Sequence, residues 1–336
     1  MHTILVTGAS SFLGYHVVKR LNEAGIRPRI LERPEAKLDA LEALDVERCP
    51  GHLDDASAMR SACTGVDTVL HVAFKVSFGG GAPALEEMKR INVDGTRALL
   101  KAAAESGVRC AVVTGSALAI GVNRKPVPLD ESASWSEHAL DLPYARLRRE
   151  VELDALAQAR DGFAVMTVCP ALTFGPDDPS GAPANKLLGA LMAGKVPVRV
   201  TVGFGCLDVR DFAKGMVLAG ERGQSGRRYL LSGHNVTADQ LVEEVTAITG
   251  VRGPRFRAPA MLVNAVVGIV ELLSKLRRKP PPINGDVMQI LGRYAWYDTA
   301  RARAELGWAP RPLKETLADT IRWLREQPSN RASPVP

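Results

Sequence analysis

Tyr144 and Arg148 stand four residues apart in the stretch PYARLRREVE. If that stretch is helical, one turn separates them and a phenol shares a face with a guanidinium. Pro143 suits a first helical position, so the spacing predicts a helix opening there. Such a pair fits a reaction in which hydride moves at a carbon while a proton moves at the attached oxygen. A free phenol titrates near ~10, and a nearby cation favours its phenolate. Arginine supplies that charge and can hydrogen-bond ribose hydroxyls, but it keeps its proton and relays none. Upstream, Val113–Ser116 reads as a strand end that delivers a second hydroxyl at the C-terminal edge of a sheet, where open α/β proteins bind ligands.

Hydride chemistry needs a carrier, and the N-terminal stretch ILVTGASSFLG is the place for one. Gly8 and Gly14, six apart, form the outer pair of a glycine frame between a strand and a helix. Gly8 can take positive φ, and Gly14 permits close helix–strand packing. Backbone N–H groups from Ser10 through Phe12, Leu13 and Gly14 then face a pyrophosphate at a helix N-terminus. Ser11 stands in the middle position; its hydroxyl can reach phosphate, while its Cβ limits how near the backbone comes. Glu32 lies eighteen residues after Gly14, at the end of the second apolar run, and is placed to grip the adenosine ribose. It repels a 2′-phosphate and so favours NAD. Arg33, next in the chain, can pair with that phosphate, which keeps NADP as the alternative.

These groups require a scaffold of parallel strands. Ile4–Thr7, Pro28–Glu32, Thr68–Val72, Cys110–Thr114 and Phe163–Cys169 are apolar without alternation, as in strands buried on both faces. Helical spacing fills 12–24, 84–106 and 139–160, and the strand–helix alternation predicts a parallel doubly wound α/β sheet. After Pro170 the Pro/Gly/Asp-rich loop FGPDDPSGAP changes the texture. The expectation is a dinucleotide-binding domain over 1–170, with 206–222 returning to it. A smaller C-terminal substrate-binding α/β domain follows over 171–326, then a disordered tail over 327–336.

Composition narrows the function. The chain has 336 residues, 46% hydrophobic, with a net charge of +6 scattered rather than clustered, and only 5% aromatic residues to interleave with it. Nucleic-acid binding is not expected. The five cysteines form no CxxC pair, which points to reduced thiols and a cytoplasmic setting. The start, MHTILVTGAS, lacks the basic region and long apolar run of a signal peptide. The segment MLVNAVVGIVELL (261–273), followed by the basic cluster Lys275 to Lys279, is shorter than the ~20 residues of a membrane span. It reads as a packed helix, or as one lining a greasy pocket or resting on a bilayer through 259–279. His71 falls inside a core strand and reads as a satisfied core residue; the histidines do not cluster, and no metal site is expected.

In order and spacing, TGASSFLG, GHLDD, DTVLHVA, INVDGTRALLKAAAESGV, VVTGSALAIG, PYARLRREVE, CPALTFGP and RARAELGWAPRPLKETLADTIRWL run over nearly the whole chain. In them the sequence resembles the extended short-chain dehydrogenase/reductases, of the NAD-dependent epimerase/dehydratase superfamily. It is most similar to the branch of 3β-hydroxysteroid dehydrogenases, dihydroflavonol reductases and hopanoid-associated epimerase-like proteins. The resemblance implies a Rossmann-type fold. It implies Ser116 as the hydroxyl that binds the substrate oxygen, Tyr144 as acid/base, and Arg148 where the family has lysine. It places His52 where the family has an aspartate facing adenine, with Leu53 beside it. Ala73 and Phe74 fall in the loop by the diphosphate and ribose, Asn92 on a helix supporting the site, Thr114 beside Ser116, and Pro170 and Ala171 in the turn by the nicotinamide amide. It also implies a homodimer.

Three functions follow. The first is an NAD(P)-dependent oxidoreductase interconverting a secondary alcohol and a ketone on an apolar, lipid-like substrate, a sterol or triterpenoid 3β-hydroxyl above all. The second is a nucleotide-sugar epimerase or dehydratase; such dehydratases carry Asp-Glu after the threonine, where this chain has Gly115-Ser116. The third is a non-catalytic NAD(P)-binding protein, kept open by Arg148.

Overall fold

The computed structural model describes residues 3–36, 39–76, 81–258 and 289–327. Its first half runs β1 (Ile4–Thr7), α1 (Phe12–Glu23), β2 (Arg29–Glu32), β3 (Glu47–Pro50), α2 (Ala56–Cys63) and β4 (Thr68–His71). It continues through α3 (Gly81–Lys89), a π-helical turn (Arg90–Asp94), α4 (Gly95–Glu105), β5 (Cys110–Thr114), α5 (Trp135–His138) and α6 (Pro143–Leu156). Next come β6 (Ala164–Pro170), β7 (Leu172–Phe174), α7 (Pro183–Met192), β8 (Val198–Arg199), β9 (Gly203–Asp208), α8 (Val209–Arg222) and β10 (Arg228–Leu231). The last described elements are β11 (His234–Thr237), α9 (Ala238–Thr249), β12 (Phe256–Arg257), β13 (Tyr294–Ala295), α10 (Ala300–Leu306) and α11 (Leu313–Glu326).

Among the described residues the main sheet has seven strands, all parallel, in the order β10-β6-β5-β4-β1-β2-β3. The order reverses between β1 and β4, the place where doubly wound sheets open a crevice. Successive side chains of a strand point to opposite faces. Val6 and Val112 therefore join one core with Val17 and Leu21 of α1 and Phe212 and Met216 of α8. Leu5, Ala111 and Val113 join the other, with Leu99 and Leu100 of α4 and Leu147 and Val151 of α6. This is the Rossmann-type, doubly wound α/β fold.

A second sheet joins β11, β9 and β13, with β7 paired to β9, and its core lies among α7, α9 and α11. The chain crosses between the sheets more than once. After β9, α8 packs against α1, and β10 pairs β6 in the main sheet. His16 of α1 contacts the Pro176 carbonyl at 2.9 Å, and Lys19 pairs Asp177 at 2.9 Å, so α1 also grips the loop after β7.

All five cysteines are free, and burial pushes Cys63 and Cys110 up to about 11 and Cys206 to about 12. Among the described residues no helix is long and apolar enough to cross a membrane. The apolar segment 261–273, its basic neighbours and the tail from 328 lie outside the described residues.

Candidate active site

The glycine frame is shaped by what a side chain would meet. Gly8 has φ +72°, and a Cβ there would sit 2.6 Å from the Ala73 backbone. A Cβ on Gly14 would sit 2.0 Å from the Gly8 carbonyl oxygen. The turn after β1 thus lies against the loop after β4, at the crevice of the sheet. Ser11 corrects the sequence reading. Its hydroxyl donates to the Gly8 carbonyl (2.7 Å) and accepts from Gly14 N–H (3.1 Å), capping α1 rather than offering its proton to phosphate. Phe12 is likewise turned inward, edge-on to His16, and Leu13 packs on the core, so both offer only first-turn N–H groups to a ligand.

Glu32 is buried at the end of β2. Its carboxylate accepts from Ser10 N–H (2.9 Å) and Ser10 hydroxyl (3.0 Å). Burial raises its pKa, while the Ser10 hydrogen bonds pull the other way. Each carboxylate oxygen keeps a lone pair for a further donor. Arg33 is exposed and His52 half-buried, and each lies 3.5 Å from Glu35. Leu53 packs on α4 where Gly95 leaves room; a Cβ there would come within 3.2 Å of it.

The loop after β4 is held by polar groups the sequence reading did not assemble. Inside the core, His71 contacts the Thr7 hydroxyl through Nδ1 (2.7 Å) and the Thr96 hydroxyl through Nε2 (2.9 Å). Asn92, buried in the π-helical turn, accepts from Lys75 N–H (2.7 Å) and donates to its carbonyl (2.8 Å). Burial, aided by the Arg148 charge, pushes His71 down to about 4. A depressed folded-state value stabilises the fold above the unfolded value near 6.5 and is lost as pH falls through about 4. The expected loss is about 3 kcal/mol over that window. Buried Glu32, Glu131 and Glu152, all raised by burial, contribute in the opposite sense. The observable is therefore the difference between wild type and His71→Gln in denaturant unfolding at pH 7 and pH 4. The variant should lose less stability on acidification; an identical loss would remove His71 from the account.

Tyr144 and Arg148 open α6 as the proline-led pattern predicts. Arg148, 6% exposed, donates from Nε to the Tyr144 hydroxyl (3.1 Å) and from Nη1 to the Thr114 carbonyl (2.9 Å). A buried guanidinium needs such partners, because burying it unpaired costs several kcal/mol. Its carbon lies 3.4 Å from the centre of the Phe74 ring, and Tyr144 meets that ring edge-on at 5.8 Å. The Thr114 hydroxyl turns into the core and donates to Met216 Sδ (3.7 Å), so its carbonyl, not its side chain, meets Arg148. Ser116 caps the short turn after β5 by accepting from Leu118 N–H (3.3 Å), which leaves its own proton free to donate.

Against Gly115, Cys169 donates to Glu152 (3.3 Å), and Arg228 of β10 lies 2.7 Å from the other Glu152 oxygen, a charge contact rather than an aligned hydrogen bond. Glu152 is one turn beyond Arg148, and that spacing was the only sequence signal for it. Pro170 pairs with Leu231 at the end of β6, and Ala171 N–H donates to the Leu231 carbonyl (2.9 Å). Tyr144 and Ala171 border one apolar cluster, together with Leu118 and Ile290.

Residues 4–232 match the model of the NAD dependent epimerase/dehydratase family. The chain belongs to that family. It is 31% identical to "Sterol demethylase protein B" of Methylococcus capsulatus over 97% of this chain and 99% of that one. It is 26% identical to a "3-beta-hydroxysteroid dehydrogenase" of Mycolicibacterium neoaurum over 98% and 96%. The crystal structure of gox2253 superposes with a TM-score of 0.83 at 30% identity, covering 97% of this chain and 98% of that one. Family members use NAD, and the cradle fits a dinucleotide. A Cβ on Gly8 or Gly14 would collide with backbone, so the turn stays tight; α1 opens from it at Phe12, and Ser10 ties it to the buried Glu32 carboxylate.

Proposed function

We propose that the protein is an NAD-dependent oxidoreductase that interconverts a secondary alcohol and a ketone on an apolar, lipid-like substrate, with a sterol or triterpenoid 3β-hydroxyl as its preferred group. The observation that carries this is the Arg148 Nε–H donated to the Tyr144 hydroxyl at 3.1 Å, beside the strand end that bears Ser116. When bound, the dinucleotide supplies the hydride acceptor or donor. In alcohol oxidation Ser116 donates a hydrogen bond to the substrate oxygen and the Tyr144 oxygen takes its proton; in ketone reduction Tyr144 gives the proton back. Arg148 stabilises negative charge on the phenol oxygen through its fixed positive charge. Arg148 relays no proton, so the phenol must exchange with solvent by a path that avoids it.

Leu118, Ala171 and Ile290, which border the same apolar cluster as Tyr144, support a greasy substrate, as do the names of the two steroid-related relatives. The test is purified protein with NAD and a panel of 3β-hydroxysterols, triterpenols and nucleotide sugars, followed by NADH absorbance and product analysis. NADH formation with a sterol or triterpenol supports the proposal. Conversion of a nucleotide sugar alone, or tight NAD binding without turnover of any alcohol or ketone, overturns it. A homodimer is part of the proposal and is checked by sedimentation.

Glu32 gives the cofactor preference. Its charge disfavours a 2′-phosphate, and Arg33, exposed beside it, is available to one. Glu32→Gln should shift the NADP-to-NAD ratio of kcat/KM toward NADP by about tenfold, the ~1.4 kcal/mol scale of one charge-assisted hydrogen bond. An unchanged ratio would assign the preference to another residue.

A further inference from the structure

We propose that Phe74 is the positioning residue that holds Arg148 on the Tyr144 hydroxyl, and that its aromatic face, not its bulk, does so. The inference rests on the functional reading above. Arginine has a long, flexible stem, and the two hydrogen bonds from Nε and Nη1 both lie in the guanidinium plane and leave its flat faces uncovered. The Phe74 ring covers one of them at 3.4 Å from the guanidinium carbon, well inside the ~6 Å limit for a cation over a ring. With the Tyr144 hydroxyl at 3.1 Å and the Thr114 carbonyl at 2.9 Å, the cation is held in three directions.

The ring is itself held on both sides along the chain. Before it, Ala73 N–H lies 3.4 Å from the Thr7 hydroxyl, and the Ala73 backbone closes against Gly8. After it, Asn92 grips both backbone groups of Lys75 from a buried position in the π-helical turn. Such turns are frequent at functional sites. Tyr144 packs edge-on against the same ring, so phenol and guanidinium are both referenced to Phe74. A desolvated cation–ring contact is also strong enough to matter, at a level equal to roughly a tenfold change in an equilibrium. Leucine at this position would keep the apolar volume and remove the π face.

The experiment compares Phe74→Tyr and Phe74→Leu in the full chain, each alone and in an Arg148→Met background. In cofactor-free protein the Arg148 Nε–H proton resonance is assigned by its loss in Arg148→Met. Phe74→Tyr should keep its slow hydrogen exchange, and Phe74→Leu should speed exchange by about tenfold. With NAD and a turned-over alcohol, Phe74→Leu should lower kcat by about tenfold while Phe74→Tyr stays within a few-fold. In the Arg148→Met background, leucine and phenylalanine should give the same kcat. Equal exchange in the Leu and Tyr variants, or an equal drop in the Met background, would reduce Phe74 to packing and overturn the inference. The exchange readout needs no turnover, so it stands even if no substrate is found.

Discussion

Tyr144→Phe is expected to lower turnover by roughly 10²–10⁴-fold, the range that a positioned acid/base contributes. The ring and its edge-on contact with Phe74 remain, so the loss isolates the hydroxyl. NAD affinity should stay within a few-fold, because Gly8, Gly14 and Glu32 are untouched. The substitution has a second, smaller effect. Arg148 Nε–H loses its acceptor inside a buried site, which costs about 1–3 kcal/mol of stability. Steady-state kinetics, NAD titration and thermal unfolding separate the three quantities. Wild-type turnover in the variant would remove the phenol from the reaction.

Gly14→Ala should have the largest effect on cofactor binding. Its Cβ would stand 2.0 Å from the Gly8 oxygen, 2.7 Å from the Gly8 carbonyl carbon and 2.9 Å from Ala9 Cα. All three are backbone atoms, so no side chain can yield. The turn must open, and the first-turn N–H groups of α1 move with it. Overpacking of this kind costs about 1–3 kcal/mol or more, and NAD affinity should fall on the order of a hundredfold. Gly189→Ala in α7 is the control, since nothing lies within 4 Å of its Cβ. Alanine there should be neutral or stabilising by up to about 1 kcal/mol. Calorimetric titration with NAD and denaturant unfolding report both variants. Retained NAD affinity in Gly14→Ala would show that the frame is not the cofactor turn.

The interior of the sheet was legible because β1, β2, β4, β5 and β6 are buried on both faces and carry unbroken apolar runs. β1 and β5 have the expected limits, and the ends of β2, β4 and β6 differ from them by a residue. β3 was missed for the opposite reason. Its four residues, Glu47–Pro50, lie on the sheet edge and are mostly exposed, so no apolar run marks them. The helical spacing over 84–106 was real, but α3 and α4 are separated by the π-helical turn, and a five-residue interruption leaves the apolar rhythm nearly intact.

The site divides along the same line. Tyr144 and Arg148 share a helix, so their approach could be read from a spacing of four. Arg148 read from sequence is a charge in a lysine's place; in the fold it is a planar fork between two acceptors, stacked on a ring 74 positions earlier. Phe74 and Arg148 meet only because β4, β5 and α6 converge. The Ser11 hydroxyl, placed by its position in the glycine frame, serves the helix cap, and the Thr114 hydroxyl serves the core. A hydroxyl's direction depends on neighbours that no local pattern contains.

The most direct measurement is a crystal structure of the protein with NAD bound. The pyrophosphate should lie at the Gly8–Gly14 turn and the adenosine ribose on Glu32, with the nicotinamide ring facing the Tyr144 hydroxyl and Arg148 still donating to it. A dinucleotide bound away from that turn, or a nicotinamide ring separated from Tyr144 by protein, would contradict this placement.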